Sequence, residues 1–119
     1  MNFQNDKAIY IQIAEFVMEK ILRNEWVSDS KIRSVRDLGA ELEVNPNTVM
    51  RAYDLLQNQD IIFNKRGLGF YVAAQARESV IQLKRKQFLE IELPRIFITM
   101  ELLGISPEEI IENYKTRVS

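Results

Sequence analysis

Side chains suited to reading nucleic-acid bases cluster at the start of one predicted helix. Asn47 and Thr48 fall in its first turn, and Arg51 lies one turn further along on the same side. An Asn amide pairs bidentately with adenine, an Arg guanidinium pairs with guanine, and a Thr hydroxyl reaches a base or a phosphate. Asn45 precedes them as the expected helix cap, which can also touch a phosphate. The spacing therefore predicts a helix whose amino end enters the major groove of DNA.

A basic turn follows this helix. The runs Ile61–Phe63 and Phe70–Val72 are rich in β-branched and aromatic residues and predict two strands. Glycines between them suit a turn with positive φ, so the two strands are expected to form a hairpin. Cations at the hairpin tip are placed to meet phosphates or the minor groove. The binding residues predicted on this hairpin are Lys65, Arg66, Gly67 and Gly69.

Cap residues and apolar spacing define the helices that carry these side chains. Pro46 suits the first position of a helix because its missing N–H costs nothing there, and the pattern extends that helix over 46–58. The positions expected to be buried are Val49, Ala52 or Tyr53, and Leu56. Ser34 is expected to cap a preceding helix, in whose first turn Arg36 is placed to reach a base edge or a phosphate. A further helix is predicted over 7–24.

The segment between the first two helices could supply a third strand. Residues 31–33 could pair with the hairpin, and Lys31 and Arg33 are further candidates for phosphate contacts. The resulting order of helix, turn, helix and hairpin is that of a winged helix-turn-helix. The expected fold is mostly α with a small β-hairpin, in which an N-terminal winged helix-turn-helix over 1–75 precedes C-terminal dimerisation helices over 76–119.

Composition argues against an enzyme. The chain of 119 residues contains no Cys and no His, so thiol chemistry, thiolate metal sites and the commonest general base are absent. Its carboxylates are scattered along the sequence, so neither a metal nor any other cofactor is expected, and a small enzyme is the least favoured class. No apolar run approaches the length of a membrane span and no signal segment is visible, which predicts a cytoplasmic location.

The charge balance does not indicate nucleic acid. The net charge is −1, with nine basic and ten acidic residues in 1–75 and seven of each in 76–119. DNA-binding domains usually carry a strong positive charge, so the basic surface here is expected to be local. The same near-neutral charge supports an alternative class, a winged-helix protein–protein interaction module without DNA binding.

Four motifs resemble the GntR family of bacterial transcription regulators. They are Ile9–Ala14, Ser34–Leu38, Asn45–Tyr53 and Arg66–Val72. The Asn-Pro-Asn-Thr-Val element and the short C-terminal region point to the small YtrA-like branch. The resemblance implies a dimeric winged-helix repressor or regulator, often of a transporter operon, in which C-terminal helices form the dimer and Arg36 matches a DNA-contacting arginine. Pro46 and Met50 stand where many members carry arginine, so the wider family's base contacts do not transfer to this chain.

The C-terminal segment predicts a surface for self-association. Residues 88–103 include ten apolar residues of sixteen, which form two stripes along a helix that Pro94 should kink or divide. The predicted dimer interface is the stripe Leu89, Leu93, Ile96, Met100 and Leu103. The second stripe is Phe88, Ile91, Ile98 and Leu102, and the sequence leaves open which of the two faces the partner. The alternative is that the last helix, predicted over 107–116, folds back and covers the apolar surface within one chain.

The preferred interpretation is a homodimeric, sequence-specific DNA-binding transcription regulator on a palindromic operator, with repression favoured over activation. Its predicted partners are double-stranded DNA and a second copy of itself. Asn47 and Arg51, on the helix predicted over 46–58, have an alternative role as an ordinary solvated face, since most exposed polar side chains bind nothing. The order and compact spacing of all the motifs together favour DNA. The sequence identifies no small-molecule effector.

Overall fold

The computed structural model describes the backbone of residues 7–118 and the side chains to residue 117. Its helices and strands are, in order, α1 Ile9–Leu22, α2 Val35–Leu42, α3 Pro46–Asn58, β1 Ile62–Lys65, β2 Gly69–Val72, α4 Ala76–Gln87, a π-helical segment Phe88–Glu92, α5 Leu93–Leu103 and α6 Pro107–Val118. The chain forms two compact units, which divide within α4 between Gln82 and Leu83. The prediction of a mostly helical fold with one small hairpin is confirmed. Within the described residues, every helix is too short or too polar to cross a bilayer.

The helix-turn-helix begins at the two predicted caps. The Ser34 hydroxyl accepts a hydrogen bond of 3.0 Å from the N–H of Asp37, and α2 starts at the next residue. The Asn45 side chain accepts one of 2.8 Å from the N–H of Asn47, and Pro46 takes the first position of α3. Each cap satisfies a backbone donor that has no partner within its helix, which fixes where the helix starts.

The turn between α2 and α3 is tight because a glycine lies beneath it. Glu43 ends α2 in the left-handed conformation, with φ of 59°, and the N–H of Val44 donates to the carbonyl of Gly39 at 2.9 Å. A Cβ at Gly39 would lie 2.9 Å from the Val44 carbonyl oxygen and 3.4 Å from the nitrogen of Pro46. Only a residue without a side chain lets the turn close at this distance.

The core of the first unit fixes the orientation of α3. The four predicted core positions of α3 are all buried, and Ala52 and Tyr53 are both included where the sequence allowed either. The Tyr53 hydroxyl donates to the Arg33 carbonyl at 2.7 Å, and its ring meets that of Phe70 edge to face at 4.9 Å. Burial raises the pKa of the Tyr53 hydroxyl above its ordinary value, so it stays protonated and able to donate.

The wing is an antiparallel hairpin with a shorter loop than the sequence predicted. β1 extends to Lys65, which pairs with Gly69, so Lys65 lies at the end of a strand and only residues 66–68 form the turn. The N–H of Leu68 donates to the Lys65 carbonyl at 2.8 Å, so Lys65 borders this turn directly, and its predicted place at the hairpin tip is confirmed. Gly67 and Gly69 have φ of 78° and 113°, as the predicted turn requires.

The connector before α2 adds a short edge to the hairpin. The N–H of Ile32 donates to Phe70 at 2.9 Å, the N–H of Val72 donates to Ser30 at 3.0 Å, and Lys31 forms a bridge with Tyr71. The third strand expected over 31–33 is present as this isolated bridge. It ties the wing to the base of α2.

The start of α4 completes the first unit. Ala76 and Val80 are buried, and the Arg77 guanidinium donates to the carbonyl of Leu22 at 3.2 Å. The carboxyl end of α1 and the amino end of α4 are therefore held together within this unit.

The second unit contains the division expected at Pro94. A π-helical segment immediately precedes α5, and the N–H of Leu93 donates to the carbonyl of Phe88, five residues earlier. Pro94 has no N–H to donate and its ring crowds the preceding turn, which a wider π turn accommodates. α5 ends at Gly104, with φ of 68°, and the Ser106 hydroxyl caps α6 by accepting from the N–H of Glu109 at 3.2 Å.

Candidate nucleic-acid interface

The amino end of α3 is open to solvent. Asn45, Asn47 and Arg51 are exposed and Thr48 is half-buried, while the opposite side of the helix forms the core. These four residues line one shallow groove of about 360 Å³, so the structure brings together the side chains that the sequence predicted. The Asn45 side-chain oxygen is used by the helix cap, which leaves its amide N–H groups for a phosphate.

The other wall of this groove is the start of α1. Ala8, Ile9 and Tyr10 line it opposite α3. The Arg51 guanidinium carbon lies 3.9 Å from the centroid of the Tyr10 ring, within the range of a cation–π contact. This contact was not predicted from the sequence, because 41 positions separate the two residues and only the packing of α1 on α3 joins them.

Two of the other candidate arginines differ in how they are held. Arg36 is exposed in the first turn of α2, as predicted. Arg33 forms a 2.7 Å ion pair with Glu41 and lies over the Trp26 ring at 5.7 Å. The expectation of a phosphate contact from Arg33 is therefore not favoured, because a carboxylate already neutralises its charge. Glu41 is a residue that the sequence pattern gave no reason to single out.

The wing presents its cations beside two stacked aromatic rings. Phe63 and Tyr71 lie opposite each other on the two strands, with ring centroids 5.8 Å apart. The Lys65 ammonium lies 4.3 Å from the Tyr71 centroid and 5.9 Å from that of Phe63. Arg66 follows in the exposed turn. The aromatic pair thus holds Lys65 close to the strand, while Arg66 extends the basic surface to the tip.

The two wing glycines serve different purposes. A Cβ at Gly69 would lie 3.1 Å from the Lys31 side chain, so its absence gives Lys31 room to cross the hairpin. Apart from Gly67 and its two chain neighbours, no heavy atom of the described residues lies within 4 Å of a Cβ built at Gly67, which leaves that position free for an approaching backbone. Lys31 is exposed and remains a candidate for a phosphate contact.

Ion pairs neutralise part of the positive charge of the first unit. Ion pairs within the first unit include Lys7–Glu15, Lys20–Glu25, Arg23–Glu19 and Arg33–Glu41. None of these pairs involves Arg36, Arg51, Lys65 or Arg66. The amino ends of α2 and α3 and the wing therefore keep cations that these pairs do not neutralise, on the surface that would meet DNA.

The predicted dimer residues lie in the second unit with little cover. Leu89, Ile96 and Leu103 are 48%, 40% and 68% exposed, while Leu93 and Met100 are half-buried. The π-helical segment changes the register of the stripe, because a turn closed by a bond to the fifth residue holds more than 3.6 residues. Leu89 therefore does not continue the face of α5 as straight α-helical spacing assumed.

A capped recognition helix with an open amino end, a tight glycine turn before it and a basic hairpin after it define a winged helix-turn-helix DNA-binding protein. Residues 9–72 match the family described as bacterial regulatory proteins, gntR family. The chain belongs to this GntR family, whose members are transcription regulators and not enzymes.

Relatives match over nearly the whole chain. YhcF of Bacillus subtilis (strain 168), an HTH-type transcriptional regulator, is 37% identical over 96% of this chain and 93% of its own length. YtrA of the same organism, an HTH-type transcriptional repressor, is 32% identical over 87% of this chain and 79% of its own. A solved GntR family transcriptional regulator from Listeria monocytogenes has a TM-score of 0.81 and 34% identity, with 96% and 98% of the two chains covered. These similarities agree with the YtrA-like branch that the motifs indicated.

Proposed function

We propose that this chain is a homodimeric, sequence-specific regulator that binds a palindromic operator and represses transcription. The observation that carries the proposal is the exposed amino end of α3, where Asn47, Thr48 and Arg51 share one groove that no acidic side chain of the described residues lines. In this proposal Asn47 and Arg51 contact base edges, and Arg36, Lys65 and Arg66 contact the DNA backbone or the minor groove. The regulator would act in the cytoplasm.

Exposed apolar surface in the second unit supports the dimer. Neither the π-helical segment nor α5 has a single buried residue, and Leu102 is 81% exposed. The last helix does not cover this apolar surface within one chain, since its own apolar residues are exposed. Ile110, Ile111 and Tyr114 are 43%, 52% and 64% exposed. Contiguous apolar surface of this kind marks an association site, and a two-fold dimer is the commonest closed arrangement of identical chains.

A two-fold dimer sets the form of the operator. Its two α3 helices would enter successive major grooves about 34 Å apart, or a multiple of that, so the half-sites would be inverted copies. Repression is supported by the similarity to the YtrA repressor, since a regulator bound over a promoter excludes polymerase. The structure of the short second unit points to no particular small-molecule effector. A thermal-shift screen of small molecules would reveal one that stabilises the protein.

The test is binding to a duplex taken from upstream of the chain's own gene, measured over a salt series and followed by footprinting. If Arg36, Lys65 and Arg66 each neutralise one phosphate in both protomers, the slope of log K against log salt is about −5 for a dimer. We expect a steep slope and a symmetric protected region. A shallow slope without protection would instead favour the protein–protein interaction module that the net charge of −1 suggests.

A further inference from the structure

The contact between Arg51 and Tyr10 joins the recognition helix to α1. The guanidinium carbon lies 3.9 Å from the ring centroid, which is van der Waals contact and leaves no space for a water between them. Tyr10 is half-buried at the second position of α1, and Arg51 is exposed. The ring is therefore fixed by the fold of the first unit, whereas the arginine that rests on it reaches solvent.

A guanidinium supported in this way keeps its hydrogen-bonding edge. All of its N–H groups lie in the plane of the group, so an aromatic ring can cover one face without removing a donor. Bidentate recognition of guanine uses two of those edge donors. An arginine without support loses much of its rotamer freedom when it binds, and a preorganised one loses less.

We propose that Tyr10 is a positioning residue that holds Arg51 ready to read a base pair in the operator. The inference rests on the proposed function, since it requires that α3 reads DNA. Tyr10 itself need not touch a base. Tyr10 increases the discrimination between bases at the one base pair that Arg51 reads. It has no effect on the phosphate contacts of the wing.

A second aromatic–cation pair on α1 provides a matched comparison. The Lys20 ammonium lies 5.3 Å from the Phe16 ring, and Lys20 is also paired with Glu25 at 3.1 Å. Neither Phe16 nor Lys20 lines the groove at α3. Phe16→Leu thus removes an aromatic ring and a cation–π contact from the same helix without touching Arg51.

The experiment compares binding to the operator with binding to a panel of duplexes in which each base pair is changed in turn. The variants are Tyr10→Leu, Tyr10→Phe, Arg51→Ala, the double variant Tyr10→Leu with Arg51→Ala, and Phe16→Leu. Tyr10→Leu should reduce discrimination about three- to tenfold at the base pair where Arg51→Ala loses it. Tyr10→Phe keeps the ring and should retain the wild-type discrimination at that base pair. Phe16→Leu should also leave this discrimination unchanged.

The double variant separates positioning from general stability. If Tyr10 acts through Arg51, Tyr10→Leu adds no further loss once Arg51 is alanine. An equal loss with and without Arg51, or a loss spread evenly over the whole panel, would overturn the inference and leave Tyr10 a packing residue. Wild-type protein that prefers no duplex would overturn the proposed function instead, so the two failures are distinguishable. Melting curves of each variant confirm that it is folded during the binding measurement.

Discussion

Substitution of Gly39 by alanine is expected to disturb the recognition helix through the turn that precedes it. A Cβ at this position would lie 2.9 Å from the Val44 carbonyl oxygen, closer than side-chain carbons approach backbone atoms, and 3.5 Å from the Cα of Pro46. No flexible side chain is available to move aside, since all three nearest atoms belong to the backbone. The turn must open, and its opening displaces the first residues of α3.

Two opposing terms set the magnitude. Alanine is the better helix former by about 0.5–1 kcal/mol, while overpacking of a close backbone contact costs about 1–3 kcal/mol. The net loss of unfolding free energy is therefore at most about 2.5 kcal/mol, with a central value of about 1 kcal/mol. A domain of this size should lose about 4–8 °C of melting temperature for each kcal/mol.

DNA binding should fall by more than this loss of stability explains. Binding constellations tolerate displacement of only about 0.5 Å, so a shifted α3 should lose the equivalent of one good base contact, about 1–3 kcal/mol of discrimination. The matched control is Ala40→Gly, at an exposed position of the same helix, which costs about 1 kcal/mol of helix propensity without entering the turn. Melting by circular dichroism and operator titration well below the melting temperature measure both effects.

The control distinguishes a displaced helix from a merely weakened domain. We expect Ala40→Gly to melt earlier and bind normally, and Gly39→Ala to melt earlier and bind poorly. A Gly39→Ala protein that melts at or above the wild-type temperature and keeps its operator affinity would refute the argument that this glycine sets the position of α3.

Four further outcomes test other parts of the molecule. Arg51→Ala should weaken specific binding by about 1–3 kcal/mol and relax preference at one base pair, and an equal loss on every duplex would make it a phosphate contact. Lys65→Ala should make the salt slope shallower by about one unit for each phosphate that the Lys65 ammonium neutralises, and an unchanged slope would show that this ammonium stays on the aromatic rings. Leu103→Asp should give monomers in light scattering, because a carboxylate is costly to bury. Leu102→Asp tests the other apolar stripe in the same way, and dimers from both variants would exclude an interface on 88–103. Tyr53→Phe removes a 2.7 Å hydrogen bond to the Arg33 carbonyl and should lower stability by about 1–3 kcal/mol in urea melts, and no change would show that the bond contributes little.

Local signals were sufficient for the elements that carry the residues proposed to contact DNA. Ser34 and Asn45 are caps by type, and each accepts the backbone hydrogen bond that its position predicts. The glycines of the wing have the positive φ that their spacing indicated. These features depend on neighbours within a few residues, which is the range over which sequence reasoning is strongest.

Features that depend on tertiary contact were not predicted. The ring beneath Arg51 and the carboxylate beside Arg33 lie far from their partners in sequence or on another element. The sequence pattern assigned no role to Gly39, and its purpose is visible only once the following turn lies against it. The π-helical register of 88–92 likewise depends on how the backbone accommodates a proline, which an apolar pattern with 3.6-residue spacing does not encode.

The second unit has a thermodynamic consequence for how the protein responds to its own concentration. Since no residue of the π-helical segment or of α5 is buried within a single chain, the proposed partner supplies the apolar contacts that these helices lack. Ordering of this segment and pairing of the chains then become one equilibrium, and its melting temperature rises with protein concentration. Dilution of the cell's pool of the regulator would release DNA and loosen the carboxyl-terminal helices in the same step.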